Sequence, residues 1–131
     1  MWGVNTFDNN DAIEWLKEIE ANNDFKSVNN LIKNLNDLAN LDDVVLKGCT
    51  EALAAIELVA SAKTDNFKTF PADKVDWLTN SEYSFAEKDI KAAADLARSI
   101  KKDSEIRELF LDSPLLKSWE EYMDDLIKKL K

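Results

Sequence analysis

The sequence predicts an all-α fold, a compact single-domain bundle of about six or seven helices around a buried central third helix. Three observations predict this fold class. The 131 residues include only two Gly and two Pro, the residues that supply most tight turns and helix breaks. Apolar side chains recur at helical spacing along most of the chain. Finally, residues 52–62 are apolar on almost every side, as in a helix enclosed by others. The length fits one domain, residues 1–131.

Two amphipathic helices are predicted before residue 40. The first covers residues 8–22 with Asp8 as its N-cap, and Phe7 is placed to pack on Ala12 as a hydrophobic staple. Its apolar face consists of Ala12, Trp15, Leu16 and Ile19. The second covers about residues 24–38, and its apolar stripe consists of Val28, Leu31, Leu35 and Leu38.

The third helix, predicted at about residues 42–63, carries the widest apolar surface. Its main face consists of Val45, Leu46, Cys49, Leu53, Ile56, Val59 and Ala60, and its narrow polar stripe of Lys47, Thr50, Glu51, Glu57 and Ser61. A helix of this kind is normally surrounded by others, so we expect it at the centre of the fold. Cys49 is accordingly predicted to be a buried small side chain and not a reactive thiolate.

Three further segments complete the predicted bundle. Pro71 begins a short fourth helix that carries Val75, Trp77 and Leu78. Ser84 and Glu87 match a capping box at the start of a fifth helix, whose stripe consists of Ala86, Ile90, Ala93, Ala97 and Ile100. This stripe does not continue beyond Lys102, which predicts a break near Asp103.

The last helix is predicted to start with Ser113 as its cap and Pro114 in its first turn. Its apolar stripe consists of Leu116, Trp119, Met123, Leu126 and Leu130. The stripe is too short for a sustained coiled coil, which favours a monomer.

Charge and composition exclude several classes of partner. The chain has 17 Lys and Arg against 26 Asp and Glu, a net charge of −9, which opposes binding to nucleic acid or to an anionic membrane. No apolar run approaches the roughly 20 residues that span a bilayer. One cysteine cannot form an internal disulfide, and no secretion signal opens the chain, so we expect a cytoplasmic protein.

The sequence contains no residue set typical of an active site. It has no His, which excludes catalytic triads that need one and histidine-dependent metal sites. Two glycines cannot form a phosphate-binding loop. We therefore expect no cofactor, no metal and no enzyme activity. The alternative is a carboxylate-dependent hydrolase or divalent-cation-binding protein, with candidate acids Glu14, Glu18, Asp42, Asp43, Glu120, Glu121, Asp124 and Asp125.

The opening of the chain carries a recognisable pattern. Trp2-Gly3 is followed by Phe7-Asp8-Asn9-Asn10-Asp11-Ala12-Ile13-Glu14-Trp15. This pattern resembles the start of a bacterial family catalogued as domain of unknown function 4259. The alanine-rich residues 51–57 and the segment 103–109 are similar to that family too. The resemblance implies a small bacterial helical domain and supplies no activity, substrate or catalytic residue.

The signature has two interpretations. In the structural one, the signature residues Trp2, Gly3, Phe7 and Trp15 serve the fold. The three aromatic side chains anchor the N-terminal segment to the core, and Asp8 or Asn9 caps the first helix. In the functional one, the partner-binding edge consists of Asp8, Asn9, Asn10 and Asp11. The function hypothesis is a non-catalytic protein-binding module, such as an inhibitor of a basic protein partner in the manner of small acidic immunity proteins.

Overall fold

A computed structural model describes residues 3–131, and all regular secondary structure in that range is α-helical. The seven helices are α1 (Asn10–Asn22), α2 (Lys26–Asn36), α3 (Leu46–Thr64), α4 (Ala72–Asn80), α5 (Glu87–Lys102), α6 (Glu105–Leu111) and α7 (Leu116–Lys129). The predicted all-α fold is confirmed. Trp2, one of the predicted anchors, lies outside the described residues.

Helix α3 is the central element, as predicted. It packs against α1, α2, α5, α6 and α7, and every residue from 52 to 61 is buried. The small side chains of its alanines allow these neighbours to approach closely. The predicted polar stripe is wrong in part, because Thr50, Glu57 and Ser61 are buried as well. The helices around α3 cover this side too, so its hydroxyl and carboxyl groups lie inside the protein.

Helix α2 differs from its prediction in both its length and its buried face. Its buried side chains are Val28 and Ile32, while Leu31 and Leu35 lie at the margin of the core. The helix ends at Asn36, so Leu38 lies beyond it and is 48% exposed. Packing on α3 and α5 buries Val28 of the predicted stripe together with Ile32, which the stripe did not include.

The starts of the later helices also differ from the predicted caps. Pro71 is the N-cap residue of α4 and not its first helical residue. The predicted Ser84–Glu87 capping box does not form. Instead α5 begins at Glu87, and the Asp89 carboxylate accepts a 3.0 Å hydrogen bond from the Ala86 N–H. Because Asp89 reaches back to the residue before the helix, the chain needs no hydroxyl cap there.

The predicted break near Asp103 is confirmed. Helix α5 ends at Lys102, and the Ser104 hydroxyl caps α6 by accepting a 3.1 Å hydrogen bond from the Arg107 N–H. Helix α7 starts two residues later than predicted, because Ser113 bonds the Leu115 N–H at 3.0 Å within the preceding turn. With these short links, α6 packs against both α5 and α7, and α5 and α7 also pack directly against each other.

Aromatic side chains hold α4 against the turn between α1 and α2. The Phe25 ring stacks on Trp77 and Tyr83, with centroid separations of 5.6 and 4.1 Å. Trp77 is half-buried, and its indole N–H donates to Asn23 at 3.4 Å, whereas Trp15 and Trp119 are core residues. No helix within residues 3–131 has both the length and the apolar character needed to cross a membrane.

Candidate functional site

The N-terminal signature segment, residues 3–11, is attached to the core by two adjacent buried residues. The ring of Phe7 lies 4.6 Å, centroid to centroid, from that of Phe70 in the loop before α4. Thr6 is buried as well. Trp15, one helical turn into α1, is a core residue. Two of the three predicted anchors, Phe7 and Trp15, are therefore buried, and the third lies outside the described residues.

Gly3 and Asp8 of the signature fit against each other. The Asp8 carboxylate accepts a 3.1 Å hydrogen bond from the Asn5 N–H and closes a turn. A Cβ atom at Gly3 would lie 2.2 Å from Asp8 Oδ2, far inside van der Waals contact. Glycine at this position lets the carboxylate lie over the backbone. Steric exclusion thus explains the pairing of these two signature residues.

Asn9, and not Asp8, is the N-cap of α1. Its side-chain oxygen accepts a 2.9 Å hydrogen bond from the Ala12 N–H, and its amide group donates to the Thr6 carbonyl at 3.1 Å. Asn10 is exposed and Asp11 half-buried. Within residues 3–131, the side chains of these last two form no hydrogen bond or ion pair. The predicted partner-binding edge therefore divides into Asp8 and Asn9, which bond to the local backbone, and Asn10 and Asp11, whose side chains make no such bond within residues 3–131.

Replacing the cap should distinguish these roles. We expect Asn9→Ala to lower the free energy of unfolding by about 0.5 to 2 kcal/mol, because it removes the helix cap. Asp8→Ala should lower it less, and the exposed Asn10→Ala should have little effect. Urea denaturation of the three variants measures the order. A larger loss for Asp8→Ala than for Asn9→Ala would return the capping role to Asp8.

A buried carboxyl group joins the signature segment to two helices. Glu57 of α3 is 1% exposed. Its Oε1 atom accepts hydrogen bonds from the Thr6 hydroxyl, at 2.9 Å, and from the Tyr122 hydroxyl of α7. The Thr6 and Tyr122 hydroxyl oxygens lie 3.1 Å apart. This Glu57 cluster thus ties the N-terminal segment, the central helix and the last helix together.

The other oxygen of Glu57 is less well satisfied. Glu57 Oε2 and the Thr69 hydroxyl are both buried, and neither has a partner within hydrogen-bonding geometry in residues 3–131. Burial raises the pKa of Glu57, while hydrogen bonds from Tyr122 and Thr6 and the charge of Lys129 oppose the rise. Burial and the Glu57 charge also raise the pKa of Tyr122. The neutral acid is therefore favoured relative to an exposed glutamate.

The raised pKa of Glu57 makes stability depend on pH. A carboxyl whose pKa is higher in the folded than in the unfolded state stabilises the protein fully below its unfolded pKa, about 4.3. That contribution is lost as the pH rises through the folded pKa. The Glu57→Gln variant keeps the shape and cannot ionise. We expect its free energy of unfolding to rise relative to wild type by up to about 1.4 kcal/mol per pH unit between the two pKa values.

Urea denaturation of both proteins from pH 4 to 8 measures this difference. The other carboxyl groups titrate in both proteins and cancel in the comparison. Parallel stability profiles would show that Glu57 is ionised in the folded protein as readily as in the unfolded chain.

The sequence pattern places Glu57 on the polar stripe of α3 and does not predict the Glu57 cluster. The available signal for a buried carboxyl group is that Glu57 is the one charged residue in a largely apolar stretch, residues 52–62. The enclosed carboxyl bonds to two other elements and so holds three elements together. Cys49 is likewise buried, and burial raises the pKa of its thiol, as expected for a packed side chain.

Acidic side chains approach one another between α1 and α3. Partial burial raises the pKa of Glu51, the Lys47 charge lowers it, and the charges of Glu18 and Asp11 raise it. The carboxylates of Asp11, Glu18 and Glu51 form no ion pair within residues 3–131. We call Asp11, Glu18 and Glu51 together the α1 edge. It extends the predicted partner-binding edge from Asp11 along the helix.

A second acidic surface lies where helix α5 ends and helix α6 begins. A hollow of about 340 Å³, here called the acidic hollow, is lined by Leu41, Asp42, Asp103, Ser104, Glu105 and Glu108. None of its four carboxylates has a Lys or Arg nitrogen within 4 Å in the described part of the chain. The hollow combines the α2–α3 linker with the start of α6, which sequence spacing did not reveal.

Other candidate acids from the sequence lie in ion pairs or face solvent. Glu120 pairs with Arg107 at 3.1 Å, and Asp124 pairs with Lys101 at 2.6 Å. Glu14 lies 3.5 Å from Lys17. Asp42, Asp43, Glu121 and Asp125 are exposed. Between residues 3 and 131, no three Asp, Glu or Cys side chains are placed to hold a metal ion.

Comparison with known proteins gives a family and no activity. No curated protein and no solved structure matches this chain. The sequence model of a family described as a domain of unknown function (DUF4259) matches residues 1–122. The match includes the signature segment, the central helix and Tyr122, so it covers every part of the Glu57 cluster. The chain therefore belongs to the DUF4259 family.

Proposed function

We propose that this domain is a non-catalytic protein-binding module with a basic protein partner. The observation that carries the proposal is the acidic hollow, where four carboxylates lie together without an ion-pair partner in residues 3–131. Carboxylates gathered at a surface repel one another, and a cationic partner relieves that repulsion. The α1 edge adds a second group of acids, in which the charges of Glu18 and Asp11 contribute to the raised pKa of Glu51.

The net charge of −9 supports the same proposal. An acidic surface accelerates encounter with a basic protein and disfavours acidic competitors. Binding of this kind weakens as salt is added, because exposed charges are screened over about 10 Å at 0.1 M ionic strength. Inhibition of the basic partner, in the manner of small acidic immunity proteins, is the form of the function we propose, on the basis of size and charge.

Capture experiments at low and high salt test this function. The full-length protein is immobilised and exposed to a lysate of the source organism, beside an unrelated acidic protein of equal net charge. We expect a basic protein that is retained by this domain alone and released at high salt. Retention of the same proteins on both baits would show only ion exchange. If no specific partner is retained at low salt, the proposed function is wrong.

Divalent cations provide a second, inexpensive test, because the competing hypothesis is a cation-binding or carboxylate-dependent protein. We expect the melting temperature to stay unchanged when Ca²⁺, Mg²⁺ or Mn²⁺ is added at millimolar concentration. A ligand that binds only the folded state raises stability according to its concentration and affinity. A clear rise with one of these metals, and no rise with an equal ionic strength of NaCl, would favour the competing hypothesis.

A further inference from the structure

The acidic hollow continues into a second hollow, which is lined by both polar and apolar side chains. The second hollow, of about 290 Å³, lies between the end of α2, the α2–α3 linker and the end of α5. Both hollows are lined by Leu41 and Asp103. We call the two together the linker groove. Its walls outside the acidic hollow consist of Leu35, Asn36, Leu38, Ala39, Asn40, Ser99 and Lys102.

The end of the linker groove near α2 contains an apolar side chain that the core leaves partly exposed. Leu38 is 48% exposed at its rim, beside half-buried Leu35 and buried Leu41. Large apolar side chains around a concave site are typical of places where a ligand's apolar group is buried. The core does not use Leu38, because α2 ends two residues before it. The leucines at this end of the groove therefore offer an apolar contact within a mixed lining.

The acidic end determines the charge of the occupant. Four carboxylates line it, and Lys102 is the one cationic residue among the described residues that line the groove. An acidic segment would be repelled, and a second copy of this chain would bring its own acidic groove towards the first. A segment carrying Lys or Arg matches the charge. Because the two ends share Leu41 and Asp103, its apolar and cationic side chains must lie close together.

We propose that the linker groove is the docking site for a short segment of the basic partner, with an apolar side chain beside Leu38 and adjacent Lys or Arg side chains in the acidic hollow. This inference rests on the proposed function and specifies its surface. It places recognition on the linker groove instead of the α1 edge.

Peptide binding followed by NMR tests the proposal directly. The ¹⁵N-labelled full-length protein is titrated at low salt with the blocked tetrapeptide Ac-Leu-Arg-Lys-Arg-NH₂. The matched probes are Ac-Ala-Arg-Lys-Arg-NH₂, which lacks the apolar group, and Ac-Leu-Glu-Asp-Glu-NH₂, which reverses the charge. We expect the first peptide to shift amide signals from residues 35–42 and 99–108, the second to bind more weakly, and the third to leave the spectrum unchanged.

Two charge variants of equal net charge locate the site. The variant D103N/E105Q/E108Q should weaken binding of the leucine-containing basic peptide by at least about tenfold. The variant D11N/E14Q/E18Q, which removes the same number of charges from α1, should retain it. Leu38→Ser alters an exposed side chain outside the helices and should also weaken binding, which keeps the test valid if the triple variant is poorly folded.

Several outcomes would overturn the proposal. In the peptide titration, these are an absence of shifts, shifts spread over the whole acidic surface, or equal binding of the acidic peptide. Among the variants, it is loss of binding in the α1 variant alone. Shifts that depend on protein concentration without peptide would indicate self-association and would also overturn it. The outcome for the proposed function is separate. Capture of a specific basic protein equally by wild type and by D103N/E105Q/E108Q would leave that function standing and exclude the linker groove.

Discussion

Deletion of residues 1–7 is expected to lower the free energy of unfolding by about 3 to 5 kcal/mol, the usual range for loss of a buried aromatic side chain. The deletion removes Phe7 from its contact with Phe70, where the ring centroids are 4.6 Å apart. It also removes Thr6, whose hydroxyl donates to the buried Glu57 carboxyl at 2.9 Å. Urea denaturation of the shortened and full-length proteins measures the effect.

Point variants separate the contributions within this segment. Phe7→Ala should account for most of the loss, and Asn5→Ala, at an exposed position of the same segment, serves as the matched control. If the shortened protein unfolds like the full-length chain, the structural interpretation of the signature is wrong. The segment would then be a recognition arm, and the partner-binding edge would move back to Asp8, Asn9, Asn10 and Asp11.

Truncation in the central helix should have a comparably large effect. We expect Ile56→Ala, at a fully buried position of α3, to cost about 2 to 5 kcal/mol, and Leu53→Ala to fall in the same range. The surrounding helices can relax only partly into the space left behind. Val45→Ala is the control, since Val45 is 68% exposed just before α3 and should change stability by less than about 0.5 kcal/mol. Chemical denaturation measures all three.

Losses below about 0.5 kcal/mol at both Ile56 and Leu53 would mean that the core had been placed wrongly. A loss at one position alone would show how far the neighbouring helices can move to fill the space. Together the two variants report on the side of α3 that carries the tightest packing.

The fold was predictable because helical periodicity depends on residues close together in the chain. The central position of α3 followed from its apolar surface. The break near Asp103 followed from the apolar stripe of α5, which does not continue at the same helical spacing beyond Lys102. The caps were harder to predict, since Asp8 and Asn9 are adjacent and both suit an N-cap. Hydrogen bonds to Ala12 and Thr6 select Asn9. Such a choice depends on the three-dimensional path of the chain.

The candidate sites were less predictable because they join distant residues. Glu57 meets Thr6 and Tyr122 across 51 and 65 residues of sequence, so local spacing could not reveal that its carboxyl is enclosed. The acidic hollow likewise needs Asp42 from the α2–α3 linker and Asp103 from the α5–α6 break. Leu38 was predicted in the core because it continues the period of α2. It is exposed because the helix ends at Asn36, two residues before Leu38.

The bond between Thr6 and Tyr122 spans 116 residues, which has a consequence for the order of events on the ribosome. Chains are synthesised from the N-terminus, and early segments begin to fold before later ones emerge. The signature segment is made before α7, and the Tyr122 hydroxyl is not available until α7 has left the exit tunnel. A nascent chain that has reached α6 therefore holds the Glu57 carboxyl without its α7 partner, and this cluster can close only after α7 has been made.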